Sequence, residues 1–216
     1  MMKNNKEMIE YLKRFGYLKS KKVEKAFLAC DRKNFVPEIF KEEAYEDYPL
    51  PIGKDSTISA PHMVAMMTEL LEVKRGQKIL EIGTGSGWQA CILSRLVGKK
   101  GLIVTVEIDK EVYEFGKINL EKFCLKNVKI ILGDGSLGYK ELAPYDRVLV
   151  TAAVPSNIPK PFLDQLKVNG IIVLPIDYGI SQELIKAKKL KSGKIKMERV
   201  VSVAFVRLKG KYGFSF

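Results

Sequence analysis

The stretch 81-EIGTGSGWQA-90 places Gly83, Gly85 and Gly87 at alternate positions directly after the apolar run 78-KILEIG-83, with Thr84 and Ser86 between them. Glycine there permits a tight turn and lets a ligand approach the backbone closely. An acid, Glu107, stands 20 residues beyond Gly87, at the end of the next apolar run, 102-LIVTVEI-108. A carboxylate at that place can accept the two ribose hydroxyls of a nucleoside. A third run, 128-VKIILG-133, leads into Asp134 and Gly135. A carboxylate there can accept from an exocyclic amine such as adenine N6. Loop backbone, ribose acceptor and base acceptor at three successive strand ends describe an adenosine site.

The type of adenosine ligand follows from what the loop lacks. The dinucleotide fingerprint requires a third glycine where Trp88 stands, and there is no GK[ST] phosphate loop. The pattern E-x-G-x-G-x-G instead looks like the methyltransferase version, whose ligand, S-adenosylmethionine, carries a sulfonium and a zwitterionic tail. Glu81 opens the loop and is read as balancing cationic charge, directly or through water. Ile108 and Trp88 are candidates to sandwich the adenine, with ordinary core packing an equal alternative for Trp88.

These residues need a frame. Strands with continuous apolar runs alternate with helical segments from Gly76 to about Ile176: helices at 88–97, 110–123 and 160–168, and strands at 78–83, 102–108, 128–133, 145–152 and 170–176. That alternation predicts a mostly parallel α/β sheet covered on both faces, doubly wound in the manner of methyltransferases. The segments 183–191 and 195–208, joined by a Ser-Gly turn, predict an antiparallel C-terminal edge. Ahead of the core, 6–15 and 21–30 have helical spacing. Three prolines between 37 and 51 predict loop rather than helix or central strand. Pro61 suits the first turn of a helix over 60–73. The expected organisation is one methyltransferase domain over 1–216. Its helices and loop at 1–58 form part of a substrate cleft, 76–176 is the cofactor-binding core, and 177–216 supplies edge strands.

Composition narrows the function. The chain has 216 residues, 46% apolar and 29% charged, and a formal net charge of +12. No run is long enough to span a membrane, and the start has no signal-peptide pattern, so the expected location is cytoplasmic. The lysines are spread along the chain without an aromatic-interleaved RNA-binding pattern, so no specific nucleic-acid partner is expected. Cys30, Cys91 and Cys124 lie far apart, and His62 is the one histidine. No metal site is expected, and the cysteines read as buried small apolar residues or free thiols.

The block 50-LPIGKDSTISAPHMVAMMTELL-71, together with 80-LEIGTGSGW-88, 133-GDGSLG-138 and residues 143–153, resembles the protein-L-isoaspartate (D-aspartate) O-methyltransferases. The likeness runs from about Phe35 to Pro175. It implies transfer of the methyl of S-adenosylmethionine, leaving S-adenosylhomocysteine, to the free α-carboxylate of L-isoaspartyl residues in damaged proteins and peptides. The ester then recloses to succinimide, which begins repair. By position, the resemblance assigns Ser59 to catalysis and puts Thr57 and His62 in the active-site block. Glu81, Gly83, Gly85, Glu107, Asp134 and Gly135 fall on its cofactor positions. Ser56 replaces the family's usual glutamine, Trp88 its usual tyrosine, and Arg207 the proline of an FVPL-like stretch, here 205-FVRL-208. Arg207 is read as an exposed edge arginine. From the residues alone, Ser59 also suits a helix N-cap. Two other functions stay open: a methyltransferase of the same fold acting on RNA or a small molecule, and a basic binding protein without turnover. Against the first, the NPPY-like motif of amine methylation is absent, and 151-TAAVPS-156 stands in its place.

The implied reaction needs no general base. A carboxylate has a pKa near ~4 and is ionised at neutral pH, which fits a chain with a solitary histidine.

Overall fold

The computed structural model describes residues 2–123 and 125–214. Cys124, grouped above with the other cysteines, lies outside the described residues.

Two short helices lead, α1 (Asn5–Arg14) and α2 (Lys21–Ala29). Each starts at a side-chain cap: Asn4 accepts from Glu7 N, and Ser20 accepts from Val23 N. Two 3-10 turns follow, and then a two-stranded antiparallel ribbon, β1 (Leu50–Gly53) and β2 (Ser56–Ile58). Pro51 is tolerated here because the ribbon is separate from the main sheet. Helix α3 spans Pro61–Leu70.

The regular core then runs β3 (Lys78–Ile82), α4 (Trp88–Val97), β4 (Leu102–Glu107), α5 (Lys110–Glu121), β5 (Val128–Leu132) and β6 (Tyr145–Val150). A short β7 (Val154–Pro155), α6 (Lys160–Gln165), β8 (Leu166–Asp177), β9 (Gln182–Lys189) and β10 (Ile195–Val203) complete it. The main sheet has the order β10-β9-β8-β6-β3-β4-β5, with β7 paired to β8. Strands β3, β4, β5, β6 and β8 run parallel to one another, while β9 is antiparallel to β8 and β10 to β9. From β3 the chain moves outward through β4 and β5, then returns to the other side of β3 as β6. The strand order therefore reverses between β3 and β6, where open α/β sheets place their ligands.

Alternate residues of the central strands feed two apolar layers. Ile79, Ile103 and Leu149 pack with the N-terminal helices and α4, while Leu80, Val104 and Val148 pack with Phe162 and Leu166. Burial on both faces explains the unbroken apolar runs.

Three expectations are corrected. Helix α6 ends at Gln165 rather than 168, because Leu166 already pairs with Tyr145 as a strand residue. The last strand ends at Val203 rather than 208, where the chain leaves the ladder and returns to pair Arg207 with Ala153. Cys30 and Cys91 are not free thiols but a disulfide, with Cα atoms 6.2 Å apart. It joins the end of α2 to α4 across 61 residues, a proximity that only the packing of those helices creates. Among the described residues no helix is long and apolar enough to cross a membrane.

Candidate active site

A cavity of 760 Å³ opens at the carboxyl ends of β3, β4 and β6, lined among others by Gly83, Gly85, Glu107, Ile108, Gly135 and Thr151. The glycines hold its floor. Gly83, Gly85 and Gly87 have φ of 91°, 54° and 84°. A side chain on Gly83 would collide with the Thr151 hydroxyl, which donates to the carbonyls of Ile82 and Gly83 at 3.0 Å. The loop thus closes against β6 only because position 83 has no Cβ.

Glu107 fixes the loop from the other side. Its Oε2 accepts the Gly85 N–H at 3.0 Å, and its Oε1 accepts the N–H groups of Ile108 and Asp109 at 2.9 and 3.2 Å. An ionised carboxylate offers about four acceptor positions, so Oε2 can still receive a ligand hydroxyl.

The ribbon β1–β2 forms one wall. Its tip residues Asp55, Ser56 and Thr57 line the cavity, and Lys54 reaches Asp109 at 3.0 Å. Thr57 also borders a smaller adjoining space of 50 Å³, shared with Ser59, Gly83 and Thr151. Ser59 is not the helix cap: α3 begins behind Ala60, and the His62 N–H is received by Asp47 Oδ1 at 2.9 Å. Its hydroxyl is therefore not committed to capping.

A residue that sequence reasoning missed supports this wall from behind. The Arg32 guanidinium is buried and donates to the carbonyls of Ala44, Glu46, Tyr48 and Ser59 at 2.8 to 3.2 Å. It also lies 5.4 Å from the centre of the Trp88 ring. Burial lowers its pKa to about 10. One arginine thereby gathers the backbone from 44 to 59 onto the core. In sequence it is one of two adjacent cations within 31-DRKNF-35, with nothing to distinguish it from a surface residue.

The opposite wall is the C-terminal segment, where Val206, Arg207, Leu208, Lys209 and Phe214 line the cavity. Arg207 Nε donates to Asp177 Oδ2 at 3.0 Å, and its guanidinium lies 4.6 Å from the Phe214 ring centre. Arg207 is exposed, as expected from the sequence, and is also paired with Asp177. The Gly179 N–H first, and Arg207 with it, hold the Asp177 carboxyl below its ordinary range.

Not every expected site residue faces this cavity. Trp88 is 1% exposed, donates its ring N–H to the Cys30 carbonyl at 2.8 Å and meets Phe27 edge-on. It is core, turned toward α2, and supplies no face for a base in the cavity. Thr84 and Ser86 are buried as well: Thr84 bonds the Thr105 hydroxyl at 2.8 Å, and Ser86 accepts from Trp88 N. His62 holds Asp47 through its ring at 2.9 Å and does not line the cavity. Burial pushes the Asp47 carboxyl up, but the His62 ring, its N–H and Tyr11 outweigh that and hold it below its ordinary value. Glu81 is fully buried behind the loop, and neither carboxyl oxygen has a hydrogen-bond partner. Desolvation, and Glu107 nearby, push it up to about 8. Glu81 is thus outside the cavity lining, and of the two expected routes to a cationic ligand, direct or through water, it has no direct contact with the cavity. Asp134 sits behind the lining residue Gly135, and its carboxylate accepts from Ser136 and from Lys211 N.

The family model described as protein-L-isoaspartate (D-aspartate) O-methyltransferase matches residues 2–213. A protein-L-isoaspartate O-methyltransferase of Pyrococcus horikoshii is 47% identical over 210 residues, covering 97% of this chain and 94% of the relative. One from Methanosarcina mazei is 50% identical over 199 residues, covering 92% and 81%. A solved beta-aspartate methyltransferase of Plasmodium falciparum, in complex with S-adenosyl-L-homocysteine, superposes with a TM-score of 0.86 at 30% identity, covering 95% and 98%. The chain belongs to the protein-L-isoaspartate (D-aspartate) O-methyltransferase family.

Proposed function

We infer that the 760 Å³ cavity is where this member of the family holds S-adenosylmethionine, and that Thr57 and Ser59 present the acceptor carboxylate to it. The reaction is that of the family: the methyl passes to the free α-carboxylate of L-isoaspartyl residues in damaged proteins. The observation that carries the site assignment is the convergence of a thin glycine floor, the Glu107 carboxylate and the Thr57 wall on one space at the strand-order reversal.

The residues present fit an adenosyl ligand. Gly83 and Gly85 line the cavity with bare backbone, and Glu107 Oε2 keeps room for a ribose hydroxyl. Ile108 offers an apolar face to the base. Bound there, S-adenosylmethionine supplies an electrophilic methyl on a positively charged sulfur.

The protein's own share is position and dryness. The acceptor is ionised without assistance. Thr57 and Ser59 have the means to hold one carboxylate oxygen and leave the other free. Good alignment contributes several kcal/mol, up to about 7–11 in ideal cases. The ribbon tip and the C-terminal segment close the two sides of the cavity, and exclusion of water strips the carboxylate of a shell that would blunt it. The helices and loop at 1–58 contribute to the peptide cleft through this ribbon. Binding an extended peptide mainly through its backbone would tolerate many neighbouring residues, as a repair activity requires.

The test is methyl transfer from labelled S-adenosylmethionine to matched peptides, one with L-isoaspartate and one with normal aspartate. Base-labile label on the isoaspartyl peptide alone is the expected result. Ser59→Ala should keep fold and cofactor affinity while lowering turnover about a hundredfold, in the range of a lost orienting contact. Unchanged turnover at saturating peptide would remove Ser59 from the chemistry.

A further inference from the structure

A second cavity, of 1070 Å³, opens at the other end of the sheet. Its lining comes from the chain entering β3 at Arg75, from the end of α4 with the turn that follows it, and from residues 125–127 just before β5. It lies at the amino ends of β3, β4 and β5, whereas the methyl-transfer cavity lies at carboxyl ends. Its charge is of one sign. Arg75, Arg95, Lys99, Lys100 and Lys126 line it, all of them exposed, and among the described residues no acid does. None of the five forms an ion pair among the described residues. Cations around the methyl-transfer cavity differ: Lys54 is paired with Asp109, Arg207 with Asp177 and Lys209 with Asp55.

Cations near a helix C-terminus ordinarily meet its last carbonyls. Here those carbonyls are already taken. Ser94 O accepts from Gly98 N at 3.0 Å and from Asn127 Nδ2 at 3.1 Å, and Val97 O accepts from Gly76 N at 2.8 Å. Gly98 O accepts from Gly101 N at 2.9 Å and from Asn127 Nδ2 at 3.0 Å, while the Ser94 hydroxyl donates to Asn127 Oδ1 at 2.7 Å. The same bonds tie the three connections together, so the cations stand on a fixed base. Gly98, with φ of 67°, lets the Arg75 guanidinium lie close over the turn, since a Cβ there would stand 3.2 Å from Nη2.

We propose that this cavity is a second binding site, for an inorganic anion made of several linked phosphates. Like charges gathered in a concave site repel one another and concentrate an opposite charge there. Arginine forks meet phosphate oxygens in pairs, and lysines meet them as point charges. A single phosphate is small against 1070 Å³ and leaves most of the five cations unanswered, whereas a linked chain meets several of them at once. The lining has no aromatic side chain on which a base could stack, which favours a bare phosphate chain over single-stranded nucleic acid. Lying at the opposite end of the sheet, such a ligand leaves the methyl-transfer cavity open.

The experiment is calorimetric titration of the full chain with tripolyphosphate at pH 7 and low salt. A Kd of about 10–100 μM is expected, weakening at least about tenfold when salt is raised to about 200 mM. Lys99→Glu combined with Lys126→Glu reverses two exposed charges of the lining and should lower the affinity at least about tenfold. Lys191→Glu combined with Lys194→Glu, in the exposed turn between β9 and β10, changes the net charge equally and should leave the affinity within about twofold. If both pairs weaken binding alike, the anion senses only the net charge and the proposal fails. It also fails if the unaltered chain shows no binding up to about 1 mM tripolyphosphate. A uridine oligomer of similar charge should bind no tighter than tripolyphosphate. If it binds more than about tenfold tighter, and the lining pair abolishes that, the face is a nucleic-acid surface and the inorganic assignment is overturned.

Discussion

The floor of the cavity and its two walls are built on different principles. The floor hangs from parallel strands buried on both faces, so its glycines and Glu107 are placed by the same ladder that makes the core. The walls, residues 50–58 and 206–214, lie off the main ladder. They are held by a few long-range polar contacts: Arg32 behind the ribbon, His62 with Asp47 beneath it, and Asp177, Ser136 and Asp134 under the tail. A floor residue is shared between stability and binding, whereas a wall residue can be changed to alter binding with the core intact. The regions should therefore separate under mutation.

Arg32 is the exception that tests this hardest, because it ties a wall to the core. Arg32→Ala leaves four carbonyls without their donor in a buried place, at about 1–3 kcal/mol for each unsatisfied group. A loss of at least about 3 kcal/mol in denaturant unfolding is expected. Arg32→Lys should recover little, since one ammonium cannot reproduce the planar fork. The Cys30–Cys91 link comes next. Closing a loop of that length is worth roughly 2–4 kcal/mol through the unfolded chain. Cys91→Ser should lower the unfolding free energy by that amount and leave cofactor affinity unchanged. A parallel fall in affinity would mean that the N-terminal helices, not the sheet alone, shape the glycine loop.

A floor substitution should show the opposite balance. Glu107→Gln keeps the shape but gives up the charge that holds Gly85, Ile108 and Asp109 and receives the ribose. S-adenosylhomocysteine affinity should drop about tenfold or more, with unfolding free energy within about 2 kcal/mol of the parent. A large stability loss with normal affinity would make Glu107 a strut of the loop and not a ligand contact.

The same division explains what was legible in the sequence. Helix α4 lies at 88–97 as its periodicity indicates, and β3 and β4 fall within a residue of their apolar runs, because burial on two faces leaves a pattern in composition. The walls leave none. A single arginine that gathers four carbonyls looks like any other cation. Two cysteines 61 residues apart reveal their pairing only once α2 lies on α4. Trp88 leaves two readings open for a local reason: the first residue of α4 follows the ligand loop in sequence, and its ring points back to Phe27 and Arg32, so the core reading holds. The tail was read as strand to Leu208 because its apolar alternation continues past the point where the ladder stops. Its contacts with Asp134 depend on backbone N–H groups, which no side-chain pattern records.

Glu81 gives the subtlest way to sharpen the contrast, since it is a floor residue with a titration of its own. Its folded pKa of about 8 lies above the ordinary value of 4.5. Between those values the folded chain keeps a proton that the unfolded chain has released. The contribution is therefore full below about pH 4.5 and is lost as pH rises through about 8. Within that window the linkage slope is about 1 kcal/mol per pH unit, falling with rising pH. Glu81→Gln mimics the protonated form and should flatten that part of the profile, measured as unfolding free energy from pH 5 to 9. Because Glu81 lies behind the loop and outside the cavity, the same variant should bind S-adenosylhomocysteine within about threefold of the parent at pH 7, below the effect of one lost hydrogen bond to a charged group. If affinity instead collapses while the stability profile flattens, the buried carboxyl acts on the ligand through the loop, and the floor would be as much an electrostatic device as a steric one.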